Sequence, residues 1–309
     1  GAFHNLHMTK STKYVSGDIN LTGNLSIDTC TLDMLVNQIT GPNSGTEGTF
    51  AMGEKSNIYT RGADNYPRFG YYDVSATSYS YYTGAIDQTI REANYGYLYL
   101  SSDTKKSLEG DITVAKNLVF NENGGTLDAN NKNIFIGQHW YNQYNGTFVP
   151  RTGRVIFNGT AGAQYAYLGV SVVNPFYDVE INKTAGQTFS PSGTNFDIRN
   201  TLTVTSGKMN CPSGYTVFVG GDIQVSSDGL IANSGTYELN RASGESTIST
   251  NNSILNNLII NGNANFKLTD NLTAYGNFTL QSGTFTQNGH TAILGNSLDN
   301  IIIYGKYIV

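Results

Sequence analysis

"FYDVEINKTAGQTFSPSGTNFDIRNTLTVTSGKMN", residues 176–210, carries the pattern on which the fold turns. Three apolar pairs, Val179/Ile181, Phe196/Ile198 and Leu202/Val204, are each spaced two apart with a polar residue between. That spacing predicts short strands with one face in and one face out. The last two pairs are separated only by "RNT", centred on the joint "IRN" at 198–200. A two-residue hairpin is the default for such a gap. The rest of the chain argues against it, because the same column order returns.

Four stretches align, starting at residues 3, 95, 176 and 255, with offsets of 92, 81 and 79. The predicted copies are 3–94, 95–175, 176–254 and 255–309. A first column holds Leu6/Met8, Leu98/Leu100, Val179/Ile181 and Leu258/Ile260. A second holds Ile19/Leu21, Ile112/Val114, Phe196/Ile198 and Leu272/Ala274. A third holds Leu25/Ile27, Leu118/Phe120, Leu202/Val204 and Phe278/Leu280, and a fourth Leu32, Leu127, Met209 and Phe285. The joints are "TGN" at 22–24, "AKN" at 115–117, "IRN" and "YGN" at 275–277. A meander would not need the same order four times. Short strands with Gly/Asn corners suit a coil whose turns stack in parallel, since both residues tolerate left-handed backbone. The prediction is an all-β, parallel β-helix in one domain, 1–309. Right-handed coiling is favoured because parallel connections usually have that hand. A unit of 80–90 residues exceeds one coil, so about 13 coils are expected, at roughly 4.8 Å each.

Composition agrees. Charged residues make up 13% of the 309 residues, about half the usual share. Gly (35), Asn, Ser, Thr and Tyr (21) fill the gap. The net charge of −5 argues against nucleic acid, which wants a basic patch. No run of 18 apolar residues predicts a membrane helix, and no membrane insertion is expected. The first residues already read as mid-pattern, so the chain looks like a piece of a longer protein. Cys30 and Cys211 fall several coils apart in this scheme, beyond disulfide reach, and free thiols are expected.

The elements "FYDVEINKTAGQTF", "NTLTVTSGKMN", "GYTVFVGGDI" and "GTFVPRTGRVIFNGTAGAQ" resemble β-solenoid repeats of large secreted, adhesin-like surface proteins of Bacteroidota. The likeness runs from Phe3 to about Leu294. It implies a cell-surface or secreted location, often by the type IX route, and it implies stalks, adhesins and carriers rather than one activity.

The copies differ in one place. From Phe50 to Tyr95 is 45 residues, where the matching spans are 28 (Phe148 to Phe176) and 24 (Ile231 to Leu255). The extra residues fall within 56–88, a tyrosine-rich insertion expected to lie outside the repeating frame. Two readings stand. Tyr59, Tyr66, Tyr71, Tyr72, Tyr79, Tyr81 and Tyr82 form a recognition loop, with Arg68 and neighbouring charges at its rim, or they cover the coil and pack on each other. In a strand, Tyr79 and Tyr81 share one face and Tyr82 takes the other. A second cluster, "GQHWYNQYNGTF" at 137–148, offers His139, Trp140, Tyr141 and Tyr144 as a sugar platform or a coil-edge cap.

Catalytic signatures are absent: there is no P-loop, nucleotide fingerprint, nucleophile elbow or HExxH. No cofactor or metal is called for. His4 and His7 are expected to point outward from Leu6 and Met8. Asp18 and Asp111 share a column but read as turn-capping acids. The sequons at Asn20, Asn24, Asn145, Asn158, Asn182, Asn251, Asn271 and Asn277 follow from an Asn/Thr-rich composition. The expected role is an extracellular structural and adhesive stalk with a glycan or a surface protein as partner, beside neighbouring repeats or head-to-tail copies. The alternatives are a polysaccharide-binding or -degrading β-helix, and a self-assembling filament or phage-fibre-like protein.

Overall fold

Strands carry the structure, and no helix occurs among the described residues. The computed structural model describes residues 3–42, 48–169, 174–226, 228–296 and 299–309. Stacked parallel coils form a β-solenoid of about 14 turns. The chain divides into two compact units, Gly1–Gly153 and Arg154–Val309. The division falls inside the predicted second copy. In a solenoid each coil touches only its neighbours, so compact units need not follow repeat boundaries.

The Gly/Asn joints are coil corners. Ile19–Asn20 pairs in parallel with Ile39–Thr40, one coil on, and not with Leu25–Asp28 across "TGN". Leu25–Asp28 instead lies between Leu6–Thr9 and Thr49–Met52. Side chains at the corners tie successive coils. Asp18 Oδ1 accepts the Gln38 N–H (2.9 Å) and Asp111 Oδ1 accepts the Asn133 N–H (2.8 Å). Asn24, Asn195, Asn257 and Asn277 each take a backbone N–H of the following coil at 2.8 to 2.9 Å. Strand-end N–H groups that have no ladder partner are thereby satisfied.

In the first unit the chain winds round three faces. One face stacks Leu6–Thr9, Leu25–Asp28, Thr49–Met52 and Tyr71–Val74. The next stacks Thr12–Tyr14, Thr31–Asp33, Asn57–Thr60, Tyr79–Tyr82, Tyr97–Leu100, Leu118–Phe120 and Trp140–Tyr141. A third runs from Gln88–Ile90 through Lys105–Leu108 and Thr126–Asp128 to Thr147–Val149. In the second unit, Asn257–Leu268 and Phe278–Thr286 each span two faces through a corner.

The predicted strands exist, but the predicted columns do not each lie on one face. Leu6 stacks on Leu25 and Val179 on Leu202, so the first and third columns of one copy are a single face one coil apart. Within the first unit, Leu6/Met8 and Leu98/Leu100 belong to different sheets. Each face has the same in-out-in pattern and each corner the same Gly/Asn chemistry. An alignment can therefore slip by a third of a turn at no cost. The repeating element is the coil. Leu32, Ile58, Ser80, Leu98, Leu118 and Trp140 follow one another in register, 18 to 26 residues apart, and all point into a fully buried core.

Candidate functional site: a tyrosine face on the first unit

Tyr79–Tyr82 is a full rung of the stack. It pairs in parallel with Asn57–Thr60 before it and Tyr97–Leu100 after it. The stretch expected to stand outside the frame is therefore one additional coil. An insertion of the length of one coil extends a solenoid without breaking its ladders, and it need not bulge out as a loop.

Alternation along these strands divides the tyrosines. Ser80 and Tyr82 point in and are buried, while Tyr79 and Tyr81 point out and are half-buried. Register places Tyr59, Tyr81 and Tyr99 in one outward column and Tyr79 and Tyr97 in the column beside it. Their rings stack along the columns. Tyr59–Tyr81 centroids are 4.4 Å apart with planes within 5°, Tyr81–Tyr99 are 4.8 Å apart at 21°, and Tyr79–Tyr97 are 4.7 Å apart at 8°. Across the columns the spacing widens to 6.4 Å for Tyr79–Tyr81 and 6.5 Å for Tyr97–Tyr99. Burial, followed by the neighbouring phenols, pushes the Tyr81 and Tyr99 hydroxyls above the ordinary tyrosine range. They stay neutral and remain hydrogen-bond donors through the physiological range.

Tyr81 has a ring stacked on each face, Tyr59 on one side and Tyr99 on the other, and Tyr79 and Tyr97 cover one face of each other. What this surface offers outward is ring edges and hydroxyls, in rows about one strand spacing apart. A sugar cannot lie flat on Tyr81, but hydroxyls of an extended chain can hydrogen-bond along the rows.

The other candidates separate. Tyr66, Tyr82 and Trp140 were expected at a binding surface and lie in the core. Tyr66 meets Phe50 edge-on at 5.6 Å and Tyr95 at 5.4 Å, and the Tyr82 and Tyr95 hydroxyls are 3.1 Å apart. Small Ser80 in an otherwise apolar inward column fits beside this crowd of rings. Trp140 occupies the inward column above Leu118 and meets Phe148 edge-on at 4.8 Å. The two-residue strand period puts Trp140 in and Tyr141 out, and composition alone hides that. Tyr71 and Tyr144 are exposed, and His139 lies partly buried with its ring 5.4 Å from that of Tyr141. Tyr72 is tied down, donating to the Pro67 carbonyl at 2.9 Å. Arg68 pairs with Asp64.

Tyr97 and Tyr99 were missed, although "YLYL" holds the signal. If Leu98 and Leu100 face in, Tyr97 and Tyr99, which alternate with them, must face out.

Apart from this face, a concavity of about 610 Å³ lies where Tyr71–Val74 gives way to Asn94–Tyr95. Phe69, Tyr71, Tyr72, Arg91, Glu92 and Glu109 are among its walls. Arg91 bridges Glu109 (3.3 Å) and Asp64 (3.5 Å), so its cation is already spent on the protein's own acids. His4 and His7 are exposed, as expected, and among the described residues no group of His, Cys, Asp and Glu is placed to hold a metal ion. No helix of the described residues is long and apolar enough to cross a membrane. Cys30 and Cys211 are buried free thiols.

No protein-family profile matches the chain, and neither a curated protein nor a solved structure shows significant similarity to it.

Proposed function

We propose that this chain is a stiff segment of an extracellular, adhesive surface protein of the kind its repeats resemble. In this reading the coils are the load-bearing scaffold, and the tyrosine face makes contact with a glycan or a surface protein. One observation carries it: Tyr59, Tyr79, Tyr81, Tyr97 and Tyr99 form a half-exposed ladder on three successive coils. Such a face is rigid before it binds, so little side-chain entropy remains to be lost on contact. Its hydroxyl rows suit an extended, hydroxyl-rich chain lying parallel to the stack.

The test is a binding and cleavage screen on immobilised polysaccharides with the intact chain and a Tyr59→Phe/Tyr81→Phe/Tyr99→Phe variant. Phenylalanine keeps the stack and removes the hydroxyls. Binding to at least one polysaccharide is expected, weakened at least tenfold in the variant, with no product released. Equal binding by the variant would remove the face from the argument, and turnover of any glycan would replace the adhesive reading with an enzymatic one.

A second reading, end-to-end assembly of copies, is favoured by the row Ile301, Ile302 and Ile303, all exposed on a strand paired only with Phe278–Thr286 among the described residues. Unpaired apolar strands invite pairing. Light scattering that grows with concentration, and is lost in Ile302→Lys, would support it.

A further inference from the structure

The same ladder has a chemistry that does not depend on any glycan contact. Tyr59 and Tyr81, Tyr81 and Tyr99, and Tyr79 and Tyr97 hold their rings 4.4, 4.8 and 4.7 Å apart, each pair bridging adjacent coils. All five residues are neither buried nor fully exposed, so a small oxidant reaches them. We propose that these pairs are sites of oxidative coupling, at which dityrosine bonds join one coil to the next.

The step balances as follows. Each phenol gives up one electron and its Oη proton to become a phenoxyl radical. The unpaired spin lies partly on the ring carbons beside the oxygen. Two such radicals combine through a Cε–Cε bond, and the hydrogen on each joined carbon then moves to its own oxygen, restoring both phenols. The two electrons and two protons released reduce one hydrogen peroxide to two waters, with a peroxidase as the one-electron carrier. The pair loses two hydrogens in total.

Geometry favours coupling here over other sites. Sheet register fixes each ring above its partner, so the second radical is already in place and no encounter is needed. The 6.4 Å contact between Tyr79 and Tyr81 links the two columns, so a radical formed on one can move to the other. A bond between Tyr59 and Tyr81 would close a loop through one whole coil, and a second at Tyr99 would bind three coils together. Such closures restrict the unfolded chain and raise stability.

The experiment treats the whole chain, kept dilute, with a peroxidase and hydrogen peroxide, followed by digestion, dityrosine fluorescence and mass mapping. The expected product has monomer mass less two hydrogens per link, with peptides joined at Tyr59–Tyr81, Tyr81–Tyr99 or Tyr79–Tyr97. Tyr14, Tyr144 and Tyr304 are the control, at 67%, 52% and 77% exposed. If links between chains through these residues dominate, or if no dityrosine forms, the proposal fails. Tyr81→Phe should erase the Tyr59 and Tyr99 links and spare Tyr79–Tyr97. Where Tyr81→Phe lowers the unfolding midpoint, Tyr99→Phe replaces it and should erase only Tyr81–Tyr99. Survival of an erased link at the wild-type yield overturns the assignment, and so does an unchanged link pattern in urea-unfolded chain.

Discussion

Arg151 grips Asp128 across one coil with two parallel hydrogen bonds, Nε to Oδ1 at 3.1 Å and Nη2 to Oδ2 at 2.8 Å. The same arrangement recurs between Arg61 and Asp33, at 3.2 and 2.8 Å. Both aspartates end a "TLD" strand, at 31–33 and 126–128, and both also accept a backbone N–H two residues on. A two-pronged arginine is a directional clamp, and it fixes the height of one coil on the next.

The clamp makes stability fall in acid. The Arg151 hydrogen bond outweighs burial and, with the Asn130 N–H, holds the Asp128 carboxyl below the usual carboxylate range. A group whose folded pKa is depressed contributes stability above its unfolded value, about 3.9, and loses it as pH falls through the folded value. Asp128→Asn should lower the thermal midpoint at pH 7, because the amide cannot carry the charge that the guanidinium pairs with. The gap from wild type should close below pH 4. A gap that persists unchanged into acid would show that the carboxylate charge contributes nothing.

Trp140 is the sole tryptophan and is fully buried between Leu118 and Phe148. Trp140→Phe should be tolerated, whereas Trp140→Ala should cost about 3–5 kcal/mol as a core truncation. Tyr144→Ala, at an exposed position, should stay within about 0.5 kcal/mol. Urea titration followed by circular dichroism measures all three. Tryptophan emission of the wild type should shift to the red in the same transition, because the indole reaches water only when this coil opens.

Two glycines should respond oppositely to alanine. Gly283 has φ +76°, and a Cβ there would stand 2.1 Å from the Gly262 carbonyl oxygen on the adjoining coil. Gly17 has open space where its Cβ would go. Gly283→Ala should cost more than about 1 kcal/mol, since both the backbone region and the neighbouring coil must yield, and Gly17→Ala should be neutral or slightly stabilising. Equal effects on the urea midpoint would contradict the close approach of coils at Gly283.

Strand existence was legible in this sequence because burial alternates with period two, as at Leu98/Leu100 and Val179/Ile181. The coil, as against the hairpin, was legible because corners such as "TGN" and "IRN" repeat. Which face a strand belongs to was not legible. Leu6 and Leu98 sit in the same local alternation of sequence on different sheets, so nothing in their own neighbourhoods distinguishes them. The tyrosine face was half legible. Tyr79 and Tyr81 stood out as a cluster, and the alternation in "YLYL" turns Tyr97 and Tyr99 outward, but that these four share one face follows only from the register that sets Ser80 beside Leu98. Residues 56–88 looked like an outgrowth because length alone cannot distinguish a loop from a whole added coil.

Tyr237 is buried in an inward column between Val217 and Leu258, and its hydroxyl has no hydrogen-bond partner among the described residues. A buried hydroxyl without a partner costs free energy that removal recovers. Tyr237→Phe should therefore leave stability unchanged or raise it by about 1 kcal/mol, measured as the urea midpoint. A clear loss would reveal a bond that the hydroxyl makes in solution.

Lys106 offers the sharpest pH test. Its side chain is fully buried, and its ammonium donates to Ser102 Oγ (3.1 Å), Thr104 Oγ1 (2.5 Å) and the Thr104 carbonyl (3.4 Å). Burial pulls its pKa from 10.5 down to about 8, against the opposing pull of Asp87 and Asp103. Between those two values the unfolded chain holds a proton that the folded chain has released. Stability from this group therefore rises with pH across that window, and it is lost as pH falls through about 8. Lys106→Met keeps the length of the side chain and removes the charge. The wild type should gain on Lys106→Met between pH 8 and 10.5, with a flat difference between pH 6 and 7.5, as measured by urea unfolding at each pH. Taking the difference between the two proteins cancels the titration of the buried tyrosines, which both share. A difference that is flat across the whole range would mean that the ammonium keeps its ordinary affinity for the proton inside the coil.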